Sequence, residues 1–265
     1  MKSVYITNGR GEELAGLVFE PPAESRYMVV ICHGFRGGKE NGGKLFRWAE
    51  RLQGLGLGVA AFDFSGSGSS QGEYENITLS RQAEDLKAII DYADREFHRP
   101  IILLGRSFGG STVLAGGSGD ERVAGYVLWS VPAFLEKTFA VMLGPLYEDL
   151  AAGRMVTVHD EAGRYRLGPS LVRDFAVHDM ARYADQIGER PVLIINARDD
   201  ELVAPENPVY LHEKLKNCTL YMVEEAGHRF LEKAWRREDL TIEWLQRNFV
   251  LLPDEATDLN SWQIH

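Results

Sequence analysis

The sequence is poor in cysteine, in long apolar runs and in positive charge. Among 265 residues only Cys32 and Cys218 carry a thiol, too few for a disulfide framework or a thiolate metal site. No stretch approaches the length of a membrane span, and the N-terminal residues lack the apolar core of a secretory signal. Acidic residues outnumber basic ones, 39 to 29, which disfavours nucleic-acid and anionic membrane partners. We therefore expect a cytoplasmic protein without a nucleic-acid or membrane partner.

Short apolar runs rich in β-branched residues alternate with helical patterns along the chain. Continuous rather than alternating hydrophobicity is typical of strands buried on both faces, so these runs predict a mostly parallel central sheet flanked by helices. A glycine-rich turn between two further strands predicts an antiparallel N-terminal hairpin at the sheet edge. The predicted strands are 4–7, 13–19, 28–32, 58–62, 101–104, 123–129, 192–195 and 219–223; the predicted helices are 44–53, 80–97, 109–116, 206–216 and 231–248.

One interval, residues 131–185, interrupts this alternation. It contains no strand-like run, but it carries aromatic and amphipathic pieces. An insertion of this length inside an α/β domain is usually functional. We therefore predict a small, mostly helical cap at 131–185, inserted into a core domain formed by 1–130 and 186–265. The residues after Phe249 are predicted to form a peripheral tail.

A candidate nucleophile lies at the end of the predicted strand 101–104. The stretch Gly105-Arg106-Ser107-Phe108-Gly109 fits the pattern G-x-S-x-G, in which small neighbours let a strand and a helix close tightly around a strained serine. The pattern alone is weak in a chain with 27 glycines. Ser107 therefore needs a base, an acid and oxyanion donors elsewhere in the sequence.

The predicted base is His228. It follows a glycine in "EEAGHRF", a short loop after the strand 219–223, and the carboxyl ends of strands are where open α/β sheets build their sites. The alternative reading of a single loop histidine is a surface residue. Four other histidines lie in a predicted helix, just before a predicted strand, or in the predicted cap: His212, His98, His159 and His178.

Two adjacent acids, Asp199 and Asp200, follow the strand 192–195 in "NARDDELVAP". Neighbouring side chains on an extended loop point in different directions, so one of them can face His228. We favour Asp200, because it begins a D-x-x-V segment in which Val203 can pack inward and fix the loop. Asp199 remains the alternative acid.

Two backbone amides are predicted to bind the oxyanion. The Phe108 N–H directly follows the nucleophile at a helix N-terminus, where unpaired amides and the helix dipole favour negative charge. The second donor is predicted to be the Phe35 N–H, in the loop "HGFRGGKENGG" after the strand 28–32. We predict a structural role for His33, whose ring would hold this loop by hydrogen bonds.

The assembled motifs resemble those of the α/β-hydrolases, and within them the cinnamoyl/feruloyl-esterase-like serine carboxylesterases. The resemblance covers nearly the whole chain, and its most specific part is the long second motif. It depends on "HGFRG" at 33–37, "FDFSGSGSSQGEYENIT" at 62–78, "GRSFGG" at 105–110, and the loops of Asp200 and His228.

This resemblance implies an α/β-hydrolase fold with a Ser107, His228 and Asp200 triad. It also implies an oxyanion hole formed by the Phe35 and Phe108 amides, with a small cap over the acyl and alcohol pockets. Acyl transfer by such a triad needs no metal or organic cofactor, and the expected partner is a small-molecule ester. The expected assembly is a monomer or a small homo-oligomer.

The chain departs from common relatives at positions that leave the catalytic groups in place. Relatives commonly carry histidine before the nucleophile, where this chain has Arg106, and in the G-x-G segment, where it has Ser67. They carry H-G before the acid loop, where it has Asn196-Ala197. These differences leave the exact substrate open.

The predicted activity is hydrolysis of short- to medium-chain acyl or aryl esters, with cinnamoyl and feruloyl esters among the candidates. Aromatic residues suggest a mostly apolar acyl pocket, and the predicted substrate contacts are Phe35, Phe134, Phe139 and Tyr147. The other reading of the cap aromatics is that they form the cap's own core. The alternative functions are a thioesterase, a carbon–carbon bond hydrolase, a peptidase and a non-catalytic ligand-binding relative.

Overall fold

A twisted sheet of eight strands forms the centre of the protein. The computed structural model describes residues 1–23, 25–160 and 163–250. The strands of the central sheet are β1 (Lys2–Thr7), β2 (Glu13–Phe19), β3 (Met28–Cys32), β4 (Gly58–Phe62), β5 (Ile101–Arg106), β6 (Val123–Trp129), β9 (Val192–Ala197) and β10 (Cys218–Val223). The two remaining described strands, β7 and β8, form a separate hairpin.

The strand order is β1-β2-β4-β3-β5-β6-β9-β10. β1 pairs with β2, and β2 with β4, in antiparallel fashion, whereas every pair from β4 to β10 is parallel. The predicted N-terminal hairpin and mostly parallel sheet are confirmed. The parallel arrangement brings the carboxyl ends of β3, β5, β9 and β10 to one edge of the sheet.

Helices cover both faces of the sheet. One face packs against α1 (Lys44–Gln53) and α9 (Ala234–Leu245), and the other against α2 (Leu79–Phe97), α3 (Phe108–Gly117), α7 (Met180–Ile187) and α8 (Glu206–Lys214). Short helical turns lie at Tyr74–Asn76, Phe175–Val177 and Gln246–Val250. No helix in the described ranges is both long and apolar enough to cross a bilayer.

Neighbouring residues on a strand contribute to opposite cores. Val29 packs into the core beneath α1, and Val30 into the core on the α2 side. Both side chains are fully buried. Burial on both faces explains why the sequence shows continuous apolar runs instead of a period of two.

The insertion between β6 and β9 contains helices and a hairpin. Its further elements are α4 (Leu135–Leu143), α5 (Pro145–Ala151), β7 (Val156–Asp160), β8 (Gly163–Leu167) and α6 (Ser170–Asp174). The expectation that this interval contains no strand was wrong. The hairpin strands alternate polar and apolar residues and lie largely exposed, so they lack the continuous hydrophobicity that revealed the central strands. The predicted peripheral tail beyond Val250 lies outside the described residues.

A polar cluster links the insertion to the start of α2. The Asp174 carboxylate accepts hydrogen bonds from the Ser80 N–H at 2.9 Å and from its hydroxyl at 2.6 Å. The His178 Nε2 lies 3.0 Å from the same carboxylate, and its Nδ1 lies 2.8 Å from the Tyr183 hydroxyl. These contacts join the start of α2 to the segment that precedes α7.

Candidate active site

Ser107 occupies the sharp turn between β5 and α3. Its backbone has φ 52° and ψ −127°, a conformation that costs strain for any residue with a side chain. The Ser107 N–H donates to the Trp129 carbonyl at 2.7 Å, so the neighbouring strand helps to hold the turn. This geometry presents the hydroxyl at the carboxyl edge of the sheet.

The glycines around Ser107 allow the turn to close. A side-chain carbon at Gly109 would overlap the carbonyl oxygens of Cys32 and His33, and one at Gly105 would collide with the backbone of Gly109. The glycines of the motif are therefore required by close backbone approach, as the sequence pattern predicted.

Three side chains form a hydrogen-bonded line at this edge. His228 Nε2 lies 3.1 Å from the Ser107 Oγ, and His228 Nδ1 lies 3.0 Å from both carboxylate oxygens of Asp200. Both His228 and Asp200 are buried. In this arrangement the serine hydroxyl donates to Nε2, and the protonated Nδ1 donates to the carboxylate.

The acid loop contributes three consecutive carboxylates with different partners. Asp200 also accepts the Val203 N–H at 2.7 Å, and Val203 is fully buried. Asp199 instead accepts the Ala226 N–H at 2.9 Å, while Glu201 accepts the His228 N–H at 2.9 Å. Of the two acids left open by the sequence, Asp200 therefore contacts the imidazole. The sequence analysis did not predict that Glu201 holds the histidine loop, although the run of three acidic residues could have suggested a further role there.

The two predicted oxyanion donors belong to segments that contact Ser107. A side-chain carbon at Gly34 would lie 3.2 Å from the Ser107 Cβ, so the loop after β3 passes directly beside the nucleophile. The Phe35 N–H that follows donates to no protein acceptor within the described residues. The Phe108 N–H is the first of α3, where an amide has no partner inside the helix.

The loop after β3 is fixed by His33. Its Nδ1–H donates to the Gly34 carbonyl at 2.9 Å, and its Nε2 accepts the Phe64 N–H at 3.1 Å. Burial lowers the pKa of His33, while its bond to Gly34 acts in the opposite direction. A neutral ring suits this pair of bonds, and the predicted structural role is confirmed.

Two further residues hold the same loop and were missed at the sequence level. The Tyr74 hydroxyl accepts the Arg36 N–H at 2.9 Å. Asp63 accepts both the backbone N–H and the ammonium of Lys39 at 2.6 Å. Both residues lie in the 62–78 segment, and its long motif was the sequence feature that could have identified them.

Arg36 connects the loop to the β7–β8 hairpin. Its guanidinium lies 4.0 Å from the centre of the Tyr165 ring and binds the Asp160 carboxylate at 3.2 Å. Since Arg36 directly follows Phe35, the hairpin is attached next to a predicted oxyanion donor.

The predicted substrate contacts divide into two groups. The Phe35 and Phe139 rings lie 5.2 Å apart, and Phe139 lies 5.2 Å from Phe108, so both are near the nucleophile turn. Phe134 instead packs against Tyr210 at 5.0 Å. Tyr147 is half-buried against the core and makes no ring contact with the others in the described residues.

The described residues offer no metal centre at this edge or elsewhere. No group of three or more His, Cys, Asp or Glu side chains within them is placed to hold a metal ion. The arrangement of hydroxyl, imidazole and carboxylate carries its own proton-transfer chemistry.

Comparison with solved structures identifies the fold. Est1E from Butyrivibrio proteoclasticus, solved with bound ferulic acid, superposes with a TM-score of 0.80 at 22% identity, covering 94% of this chain and all of that one. The likeness confirms the α/β-hydrolase fold that the motifs predicted.

Sequence relatives match parts of the chain. The quorum-quenching protein AidA of Acinetobacter baumannii is 34% identical over 104 residues, which cover 38% of this chain and 34% of AidA. The human mitochondrial palmitoyl-protein thioesterase ABHD10 is 27% identical over 202 residues, 73% of this chain and 64% of ABHD10. The chain thus matches between about a third and two thirds of the length of these relatives.

A family profile described as serine aminopeptidase, S33, matches residues 23–185. This span is more than half of the chain and includes the nucleophile turn and the loop after β3. The protein belongs to the serine aminopeptidase S33 family, within the α/β-hydrolases.

Proposed function

We propose that the protein is a serine carboxylesterase that hydrolyses short- to medium-chain acyl or aryl esters through an acyl-enzyme. The observation that carries this proposal is the line from Asp200 through His228 to Ser107, with each contact at 3.0–3.1 Å. Cinnamoyl and feruloyl esters are included among the candidate substrates, because Est1E was solved with ferulic acid.

In the proposed mechanism, His228 Nε2 takes the Ser107 proton as Oγ attacks the ester carbonyl. The Phe35 and Phe108 amides donate to the tetrahedral oxyanion, a type of contact worth about 3 kcal/mol per donor in the transition state. His228 then returns the proton to the leaving alcohol. A water deprotonated by the same imidazole releases the acid, while Asp200 maintains the required tautomer.

The acyl-enzyme predicts a burst of product. When p-nitrophenyl butyrate is mixed with the protein in a stopped-flow instrument, we expect a rapid release of p-nitrophenol approaching one equivalent per chain, provided that deacylation is slower than acylation. Butyrylation of Ser107, detected by mass spectrometry of the quenched reaction, provides the second measurement. The absence of both p-nitrophenol release and butyryl transfer to Ser107 would refute the proposed function.

Residues 131–185 are proposed to act as a cap whose aromatics limit the acyl chain. Phe139 is 2% exposed and packs beside Phe35 and Phe108. Phe139→Ala is therefore expected to raise the ratio of kcat/KM for octanoyl over acetyl esters by about tenfold, since one additional methylene accommodated in an apolar pocket is worth about 1–3 kcal/mol. The measurement is a series of p-nitrophenyl esters from acetate to octanoate.

Val141→Ala provides the matched control for this series. Val141 lies on the same helix, α4, and is 62% exposed, so its variant should retain the original chain-length profile. An unchanged profile in folded Phe139→Ala would contradict the assignment of Phe139 to the acyl pocket.

A thioesterase is the second candidate function, because ABHD10 matches 73% of this chain and is named a palmitoyl-protein thioesterase. The two activities use the same triad and differ in the leaving group. Comparison of S-phenyl thiobutyrate with phenyl butyrate distinguishes them: a higher kcat/KM for the thioester would favour the thioesterase. Leucine p-nitroanilide tests the peptidase alternative.

A further inference from the structure

A cavity of about 440 Å³ lies beside the nucleophile turn. Its wall includes Phe35 of the predicted oxyanion hole, Arg106, which precedes the nucleophile, and Arg229, which follows the base. A smaller recess of about 60 Å³ shares Arg106 and Arg237 with this cavity and reaches Gly34 and Trp129. The volume of the outer cavity falls in the range of small-molecule sites.

Arg237 brings a buried cation to both spaces. It lies on α9, is 5% exposed, and has its guanidinium carbon 4.2 Å from the centre of the Trp129 ring. Its Nε and Nη1 are buried and have no hydrogen-bond partner among the described residues. The adjacent Glu238 carboxylate is occupied by Arg47 and Arg51, at 2.8 and 3.1 Å.

Arg106 is the second cation of this wall. Its Nε is buried without a hydrogen-bond partner among the described residues. Burial and the neighbouring charge of Arg106 lower the pKa of Arg237 to about 9. Both guanidinium groups remain protonated at neutral pH, so two like charges lie close together with unused N–H donors.

Among the described residues, the Glu238 and Asp200 carboxylates act on Arg237 and Arg106 through space, but neither accepts a hydrogen bond from the buried Nε atoms of these arginines. Five lining residues of the outer cavity are basic and one, Asp160, is acidic, and that carboxylate binds Arg36. Basic side chains therefore outnumber acidic ones on the described wall of this cavity, in a chain whose formal net charge is −10. Buried charges are normally paired, because an unpaired one carries a large desolvation cost. A bound anion would remove this cost.

We propose that Arg106 and Arg237 form an anion-binding subsite beside Ser107, which selects esters that carry a carboxylate or phosphate group. This inference depends on the proposed esterase function for its substrate, and it identifies a class of substrate that the triad alone does not. Guanidinium groups bind carboxylates and phosphates through charge-assisted hydrogen bonds, which are stronger than hydrogen bonds between neutral groups. A neutral ester cannot form them with Arg106 and Arg237.

Esters that differ by one methyl group test the selection. p-Nitrophenyl hemisuccinate and its methyl ester place or remove a carboxylate on the acyl side. Acetylated 4-hydroxybenzoate and its methyl ester do the same on the alcohol side. We expect kcat/KM to favour the anionic member of one pair, and Arg237→Met to lower that preference about 10- to 100-fold, as for loss of a hydrogen bond to a charged group.

Arg236→Met is the matched control, since Arg236 is the exposed neighbour on the same helix. It should retain the charge preference of the original protein. Arg106→Met provides a second variant if Arg237→Met fails to fold, and it is expected to lose the same preference. Equal kcat/KM for both members of each pair in the original protein, or a preference that survives both substitutions, would overturn the subsite.

A binding measurement separates this inference from the proposed function. In a Ser107→Ala protein, succinate or inorganic phosphate should raise Tm, because a ligand that binds the folded state stabilises it. Arg237→Met in the same background should abolish the rise. An Arg237-dependent rise without ester hydrolysis by the original protein would refute the esterase and retain the subsite. Ester hydrolysis without charge preference, together with no Arg237-dependent rise in Tm, would refute the subsite and retain the esterase.

Discussion

Ser107→Ala is expected to lower kcat for p-nitrophenyl butyrate by about 10⁶-fold, the scale of nucleophile removal in the serine protease subtilisin. The substitution deletes the one oxygen that His228 Nε2 contacts at 3.1 Å. It leaves the Ser107 N–H bond to Trp129 in place. The steady-state rate should therefore fall by this factor, whereas the circular dichroism spectrum should remain unchanged.

Labelling provides a readout that does not depend on turnover. A fluorophosphonate probe should modify the original protein at Ser107 and leave Ser107→Ala unmodified. Ser3→Ala is the control, since Ser3 lies exposed on β1 at the far edge of the sheet, and this variant should retain full rate and labelling. Retained turnover in Ser107→Ala would show that another residue is the nucleophile.

Asp200→Asn is expected to lower kcat by about 10⁴-fold. Both carboxylate oxygens of Asp200 lie 3.0 Å from His228 Nδ1, and the backbone N–H groups of Leu202 and Val203 donate to Oδ1. These donors should hold the asparagine oxygen on the loop and turn its amide toward the imidazole. The ring would then present Nδ1 as an acceptor and Nε2 as a donor, a tautomer that cannot accept the serine proton.

Asp199→Asn is the matched comparison, one residue away. Asp199 accepts the amides of Ala226 and Gly227, and an asparagine oxygen can accept the same bonds. The expected loss is at most about tenfold, the scale of one weakened hydrogen bond. A larger loss in Asp199→Asn than in Asp200→Asn would transfer the role of triad acid to Asp199.

The central fold was predictable because its strands are buried on both faces. β3, β4 and β6 begin and end at the predicted residues, since continuous apolar runs end abruptly where the chain leaves the core. The β7–β8 hairpin escaped prediction for the opposite reason: its exposed strands have polar residues at alternate positions and bury little surface.

The candidate site likewise contains residues that the sequence predicted and one residue, Arg237, that it did not. Ser107, Asp200 and His228 were found because each follows a strand at the same sheet edge, so topology brings them together whatever their distance in sequence. Arg237 has no such signal. It lies within a helix among charged neighbours, and its burial against Trp129 depends on how α9 packs on the sheet, which no local pattern encodes.

The attachment of Arg36 to the β7–β8 hairpin restricts how this protein can be re-engineered. Trimming residues 156–167 is an obvious way to admit bulkier esters. The same deletion would remove Asp160 and Tyr165, the partners that anchor the Arg36 side chain, and would leave the Tyr74 hydroxyl to hold the Arg36 N–H next to the Phe35 amide. Shortened variants would thus combine a wider entrance with a less ordered donor, and selection for substrate breadth by truncation would be expected to sacrifice turnover.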